Sequence, residues 1–134
     1  MRNIVRLLSI LTLCLGSIHS WAECDVDAGK KQFNKCIACH AVDPGVQLMG
    51  PSLHGLMGRE VGSVEDFPFS EAMATADFIW TEETLDAFLE SPMEYLPGTV
   101  MPFGGIRKAD QRQALTCYIK QLNVDRDKMD TTSE

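Results

Sequence analysis

The sequence predicts an all-α domain built from short helices and long loops. Apolar residues recur at helical spacing near the C-terminus, where Leu115, Tyr118, Ile119 and Leu122 fall on one face of a helix. Other segments with a helical pattern follow Asp, Ser or Thr residues, which are good helix N-caps. No segment alternates apolar and polar residues strongly enough to indicate a β-sheet.

The first helix is predicted to begin after the N-cap residue Asp25 and to continue to Cys36. Gly29 falls on its apolar side, where glycine costs about 1 kcal/mol of helix propensity relative to alanine. A glycine in such a place indicates that a second helix crosses closely. Residues 41–62 are rich in glycine and proline and poor in apolar side chains. Because a long loop in a compact domain usually encloses something, we expect this one to wrap around an apolar group.

Three more helices are predicted beyond this loop. Ser70 should cap a short helix, and Thr81 should cap a longer one that Pro92 terminates. A capping box that begins at Asp110 is predicted to start the last helix. The tail after residue 123 is polar, so we expect it to be flexible.

The N-terminus has the pattern of a secretory signal peptide. Arg2 and Arg6 precede an apolar run over residues 7–18, and small residues flank Trp21. The apolar run is shorter than the ~20 residues of a membrane span. We therefore predict a signal peptide over residues 1–22 and one domain over residues 23–134, with an uncleaved anchor as the alternative. Export predicts a periplasmic location.

The exported chain would be strongly acidic. Removing Arg2 and Arg6 from the 12 basic residues leaves 10 against 19 acidic residues, a formal charge of −9. No basic cluster is present, so nucleic acids and anionic membrane surfaces are not expected partners. A partner protein with a basic docking face fits the charge better, although solubility alone explains the charge equally well.

The segment Cys36-Ile37-Ala38-Cys39-His40 carries the chemistry of the chain. Two cysteines three residues apart, followed by a histidine, is the spacing of covalent c-type haem attachment. Cys36 and Cys39 would form thioethers to one haem c, and His40 would be an axial ligand of the iron. Attachment of such a haem takes place outside the cytoplasm, in agreement with the predicted export.

Two other interpretations of the motif fit the sequence less well. A zinc half-site would need further ligands, and the sequence supplies no second Cys pair. A thioredoxin-like dithiol would need a βαβ pattern around it, which the flanking segments lack. The remaining exported cysteines, Cys24 and Cys117, could pair in an oxidising compartment or stay as separate thiols.

The motif, the loops and the last helix together resemble a class I c-type cytochrome of the mitochondrial cytochrome c and bacterial cytochrome c2 type. The resemblance extends from about Asp25 to Asn123. Its specific segments are Gly29–Phe33, Cys36–His40, Gly50–Arg59, Phe69–Met73, Trp80–Thr81 and Pro97–Phe103. The resemblance implies the class I cytochrome c fold, in which the N- and C-terminal helices cross and loops wrap around one haem.

The resemblance also implies roles for individual residues. It assigns Met101 as the sixth iron ligand, although composition alone leaves the other methionines as competitors. It places the carbonyl of Pro51 at the hydrogen bond to the proximal histidine. It places Arg59 and Trp80 at the haem propionates, and Phe103 beside the methionine as a shield of the haem.

The function that follows is one-electron transfer between redox protein partners, by a soluble, periplasmic and monomeric carrier in a respiratory or dehydrogenase-linked chain. The family's lysine-rich rim is missing, because Met93, Glu94 and Val100 stand where lysines are common. The alternative is a haem enzyme or gas sensor, for example a peroxidase-like protein, with a labile sixth site.

Overall fold

A computed structural model describes residues 24–131 of the 134-residue chain, with side chains as far as residue 124. The predicted signal peptide, residues 1–22, lies outside the described residues. The helices are α1 (Val26–Phe33), α2 (Glu71–Thr75), α3 (Glu82–Glu90), α4 (Pro92–Tyr95) and α5 (Ala109–Thr131). Strand pairing in this part of the chain amounts to one isolated antiparallel bridge between Glu60 and Ile79. The all-α prediction is therefore confirmed.

Three predicted helix caps are present. The side chain of Asp25 accepts a hydrogen bond from the Ala28 amide at 2.9 Å. Ser70 accepts from the Met73 amide at 3.3 Å. Thr81 forms a reciprocal capping box with Thr84 at the start of α3. Each cap satisfies an amide that the first helical turn leaves without a partner.

The helix boundaries differ from the predictions in two places. α1 ends at Phe33 rather than Cys36, because the backbone tightens into a turn in which the Cys36 amide donates to the Phe33 carbonyl at 2.8 Å. α5 begins at Ala109, and the Arg112 amide donates to the Lys108 carbonyl at 3.1 Å. Asp110 therefore lies in the first turn of α5 and not at the N-cap position. A negative charge in the first turn also stabilises a helix, because it interacts favourably with the helix dipole.

The C-terminal helix is longer than the sequence suggested. α5 continues to Thr131, past the point at which a flexible tail was expected. Residues 124–131 are mainly polar, but they contain neither glycine nor proline, so nothing in their backbone chemistry interrupts the helix. The four-residue helix α4 was also not predicted; it starts at Pro92, since proline is compatible with the first turn of a helix.

α1 and α5 cross at Gly29, as predicted. A Cβ atom placed on Gly29 would overlap the Ala114 carbonyl oxygen and lie 2.6 Å from the Tyr118 Cβ. One turn further along, the rings of Phe33 and Tyr118 pack with their centroids 5.2 Å apart. Near the start of α1, Cys24 and Cys117 are joined in a disulfide with their Cα atoms 5.9 Å apart.

The core lies between α3, α5 and the loops. Its buried side chains include Leu85, Phe88 and Leu89 of α3, and Leu115 and Ile119 of α5. Several of these side chains also face a cavity, so the packing that joins the helices forms one of its walls. Among the described residues, no helix combines the length and the apolar character needed to cross a membrane.

Candidate functional site

A cavity of about 460 Å³ lies between the cysteine motif, the loops, α3 and α5. Its volume falls within the ~300–1,000 Å³ of typical ligand sites. Its walls bring together Cys36, Cys39 and His40 from the motif with Met101 from a distant loop. The structure therefore places the side chains predicted to hold the haem around one space.

His40 is held in one orientation by the backbone. Its Nδ1 lies 2.7 Å from the carbonyl oxygen of Pro51. A carbonyl can only accept, so Nδ1 carries the proton and donates it, and Nε2 keeps a free lone pair. Burial lowers the pKa of His40 below its ordinary value of 6.5, and this effect outweighs the Pro51 hydrogen bond, which raises it. The imidazole is therefore neutral near pH 7, the form in which it can bind a metal.

The two motif cysteines are positioned by a tight turn. The amides of Cys39 and His40 both donate to the Cys36 carbonyl, at 3.0 and 2.9 Å. Burial raises the pKa of the Cys36 thiol to about 11, although Lys35 acts in the opposite direction. Cys39 also lines the cavity, with its Sγ 4.0 Å from the Sδ of Met49, a residue that is 75% exposed.

Met101 lies on a loop that is fixed on both sides. The Thr99 amide donates to the Leu96 carbonyl at 3.1 Å, and the Phe103 amide donates to the Met101 carbonyl at 2.8 Å. Phe103 lines the cavity next to Met101. Met49 and Met73, two of the methionines that composition alone left as competitors, also line the cavity. Their positions follow from loop folding rather than from any local pattern.

Arg59 is a half-buried cation at the cavity wall. Its guanidinium donates to the carbonyl oxygens of His54 and Ser52 at 2.7 and 3.1 Å. Burial lowers the pKa of Arg59, because the charged form loses hydration. Within residues 24–124, no carboxylate forms an ion pair with it. A half-buried positive charge of this kind favours an anionic group in the cavity.

Trp80 adds a second polar group to the same wall. It is 7% exposed and packs edge-on against Phe78 and Phe88, with ring centroids 5.0 and 5.1 Å apart. Trp80 lines the cavity, and its indole N–H can donate one hydrogen bond. Arg59 and Trp80 together fit the propionate carboxylates of a haem.

The lining as a whole fits a haem. It is mainly apolar, it contains no Asp or Glu, and its cations are Lys35 and Arg59. In the described part of the chain, no three His, Cys, Asp or Glu side chains form a group that could hold a metal ion. The described residues therefore supply no further ligands for a zinc ion at the motif. For a haem they supply a cavity, the two thiols and two candidate iron donors, His40 and Met101.

The sequence model of the family described as Cytochrome c matches residues 26–123. This chain belongs to the cytochrome c family. It therefore carries one covalently bound haem c and acts as a one-electron carrier rather than as an enzyme. The predicted family, fold class and cofactor are confirmed, and the peroxidase-like alternative is not supported.

Curated relatives come from several lineages. Cytochrome c type-1 of Ascaris suum is 44% identical over 100 residues, which cover 74% of this chain and 89% of the relative. Cytochrome c2 of Blastochloris viridis is 36% identical over 126 residues, 93% of this chain and 97% of the relative. Cytochrome c of Gibberella zeae is 42% identical over 98 residues, 72% of this chain and 92% of the relative. The family thus includes both bacterial and eukaryotic proteins similar to this one.

Proposed function

We propose that this cytochrome is an exported, monomeric electron carrier whose haem is bonded to Cys36 and Cys39 and whose iron is held by His40 and Met101. The observation that carries the proposal is the hydrogen bond from His40 Nδ1 to the Pro51 carbonyl. It leaves the Nε2 lone pair free in a cavity that both cysteines and Met101 also line.

The haem, when bound, supplies the one-electron change at its iron. His40 gives a nitrogen donor whose tautomer is fixed by Pro51. The thioether of Met101 favours the reduced state and keeps the coordination unchanged in both oxidation states. Arg59 and Trp80 hold the carboxylate edge, while Phe103 and the apolar walls exclude water. Each of these residues binds, orients or shields, and none acts as an acid or base.

A periplasmic location is part of the proposal. The N-terminal pattern over residues 1–22 supports export. The disulfide between Cys24 and Cys117 suits an oxidising compartment. The alignment with the Blastochloris viridis cytochrome c2 covers 93% of this chain, so it includes residues before Val26.

We further propose that the redox partners present a basic docking face. The exported chain would carry 10 basic and 19 acidic residues once Arg2 and Arg6 are removed from the total of 12. Long-range attraction would then steer a positively charged partner towards this protein.

Covalent attachment is tested by extraction with acidified acetone, using protein from cells that mature c-type haem. Wild-type protein should keep its haem. The Cys36→Ser/Cys39→Ser variant should release any haem it binds, whereas the Cys24→Ser/Cys117→Ser variant should retain it. Loss of colour from the wild-type protein under the same treatment would refute the attachment sites.

Rapid formation of a carbon monoxide adduct by the folded ferrous protein would instead favour a labile sixth site.

A further inference from the structure

The backbone of Gly50 lies against the ring of His40. A Cβ atom placed on Gly50 would lie 2.7 Å from His40 Nδ1 and 2.9 Å from Nε2, and it would overlap Cε1. Real Cβ atoms do not approach a neighbour so closely. Any side chain at position 50 would therefore have to displace either the imidazole or the loop.

Two hydrogen bonds, one on each side of this contact, join the loop around Gly50 to the cysteine motif. The Gly50 amide donates to the Cys39 carbonyl at 2.7 Å. The carbonyl of the next residue, Pro51, accepts the His40 Nδ1 proton at 2.7 Å. The Gly50 carbonyl accepts from the Leu48 amide at 3.1 Å, which closes the loop on itself. These bonds leave the loop little freedom to move away from the ring.

Glycine is needed at position 50 because of space and not because of backbone conformation. Gly50 is not among the glycines of the described chain that have positive φ, such as Gly45, Gly55 and Gly58. An L-residue could adopt its backbone conformation, but its side chain would have no room. Gly50 thus differs from glycines that only allow a turn.

We propose that Gly50 is a positioning residue for His40, an inference that rests on the proposed ligand role of that histidine. By lying against the ring, Gly50 fixes the ring plane and keeps Nδ1–H directed at the Pro51 carbonyl. That hydrogen bond makes the imidazole a stronger donor to the iron, which stabilises the ferric state. A side chain at position 50 would weaken the hydrogen bond and raise the reduction potential.

The contact can be tested first in the wild-type holoprotein. In the diamagnetic ferrous state, proton NMR should show a nuclear Overhauser contact between a Gly50 Hα and His40 Hε1, and slow exchange of the His40 Nδ1 proton. The His40 ring protons should also show large shifts from the haem. If those shifts are missing, the ligand role of His40 fails. If they are present without the Gly50 contact, only the positioning role is overturned.

Variants then separate positioning from general damage. Gly50→Ala should raise the midpoint potential and move the His40 ring resonances. Gly29→Ala is the control for steric strain elsewhere, since its clash is with Ala114 and Tyr118 at the helix crossing. Gly104→Ala is the control for an added methyl group in open space, since nothing lies within 4 Å of its Cβ position. An equal potential in all three variants would overturn the proposal. If Gly50→Ala does not yield folded holoprotein, the nuclear Overhauser contact between Gly50 and His40 in the wild-type protein is the measurement that supports or overturns the proposal.

Discussion

Gly29 and Tyr118 meet where α1 crosses α5, at a separation that leaves no space for a side chain on Gly29. A Cβ atom there would lie 2.6 Å from the Tyr118 Cβ and would overlap the Ala114 carbonyl. The crossing holds α1, and the cysteine motif follows directly after it. The glycine that weakens the first helix locally is therefore the residue that lets the two terminal helices pack.

Gly29→Ala should destabilise the protein by about 1–3 kcal/mol, the usual cost of forcing an extra methyl group into a packed contact. The free energy of unfolding, measured with guanidinium chloride, would show the loss as a lower midpoint with an unchanged slope. Gly104→Ala should stay within about 1 kcal/mol of wild type, because its Cβ position is open. Equal stability of the two variants would contradict the close crossing.

Local chemistry made much of the fold predictable. Asp25, Ser70 and Thr81 cap helices as the sequence indicated, because a capping side chain needs only the amides two or three residues ahead of it. The N-cap of α5 was predicted at Asp110, two positions beyond Lys108, the residue that precedes the helix. An acidic residue is favourable both at the cap and in the first turn, so its presence does not distinguish the two positions.

The site was predictable only where its residues lie in one motif or match a known family. His40 and the two cysteines are adjacent in sequence, and the cavity shows them together. Met49 and Met73 reach the same cavity through loop folding, which no periodicity reports. Gly50 looked like an ordinary loop glycine, because its contact with His40 depends on how the loop returns over the motif.

Met101→Ala should remove the sixth ligand, abolish the near-infrared band of a ferric iron–thioether bond and lower the reduction potential. Thioether sulfur favours the reduced state, so its loss stabilises the ferric iron. Met73→Ala and Met49→Ala are matched controls, since both side chains also line the cavity. Optical spectra and a redox titration of the three variants provide the measurement. A lost band in Met73→Ala with an intact band in Met101→Ala would move the ligand assignment to Met73.

Cys24→Ser/Cys117→Ser should lower the free energy of unfolding by about 2–5 kcal/mol, the range for loss of a disulfide that closes a long loop. The bond joins residues separated by 93 positions, so it restricts the unfolded chain strongly. Unfolding of the wild-type holoprotein with its iron kept ferrous throughout, with and without a thiol reductant, gives an independent measurement. The reductant should leave the double variant unchanged. If the reductant lowered the free energy of unfolding of the double variant as much as that of wild type, the disulfide would not be the source of the stability.

Arg59 offers a way to separate charge from hydrogen bonding. Arg59→Lys keeps a positive charge at the cavity wall but cannot reproduce both bonds to the carbonyls of His54 and Ser52, so stability should fall by about 1–3 kcal/mol. Arg59→Met also removes the charge, which should lower the reduction potential, since a nearby cation disfavours the ferric state.

The exposed Arg107, which does not line the cavity, is the control for these variants. Arg107→Met should leave the potential close to the wild-type value. A potential that changes equally in Arg59→Met and Arg107→Met would mean that net charge alone, and not the position of Arg59, sets the effect.

Electron transfer to a basic partner protein should slow as ionic strength rises, because salt screens the attraction that brings the two proteins together. The opposite trend is expected for a small anionic oxidant such as ferricyanide, since salt screens its repulsion from the acidic surface. Stopped-flow rates with both oxidants, measured on one protein preparation between low and physiological salt, compare the two directly. Rates that do not depend on salt for either oxidant would contradict the proposed basic docking face of the partner. They would leave the proposed haem ligation and the carrier role unaffected.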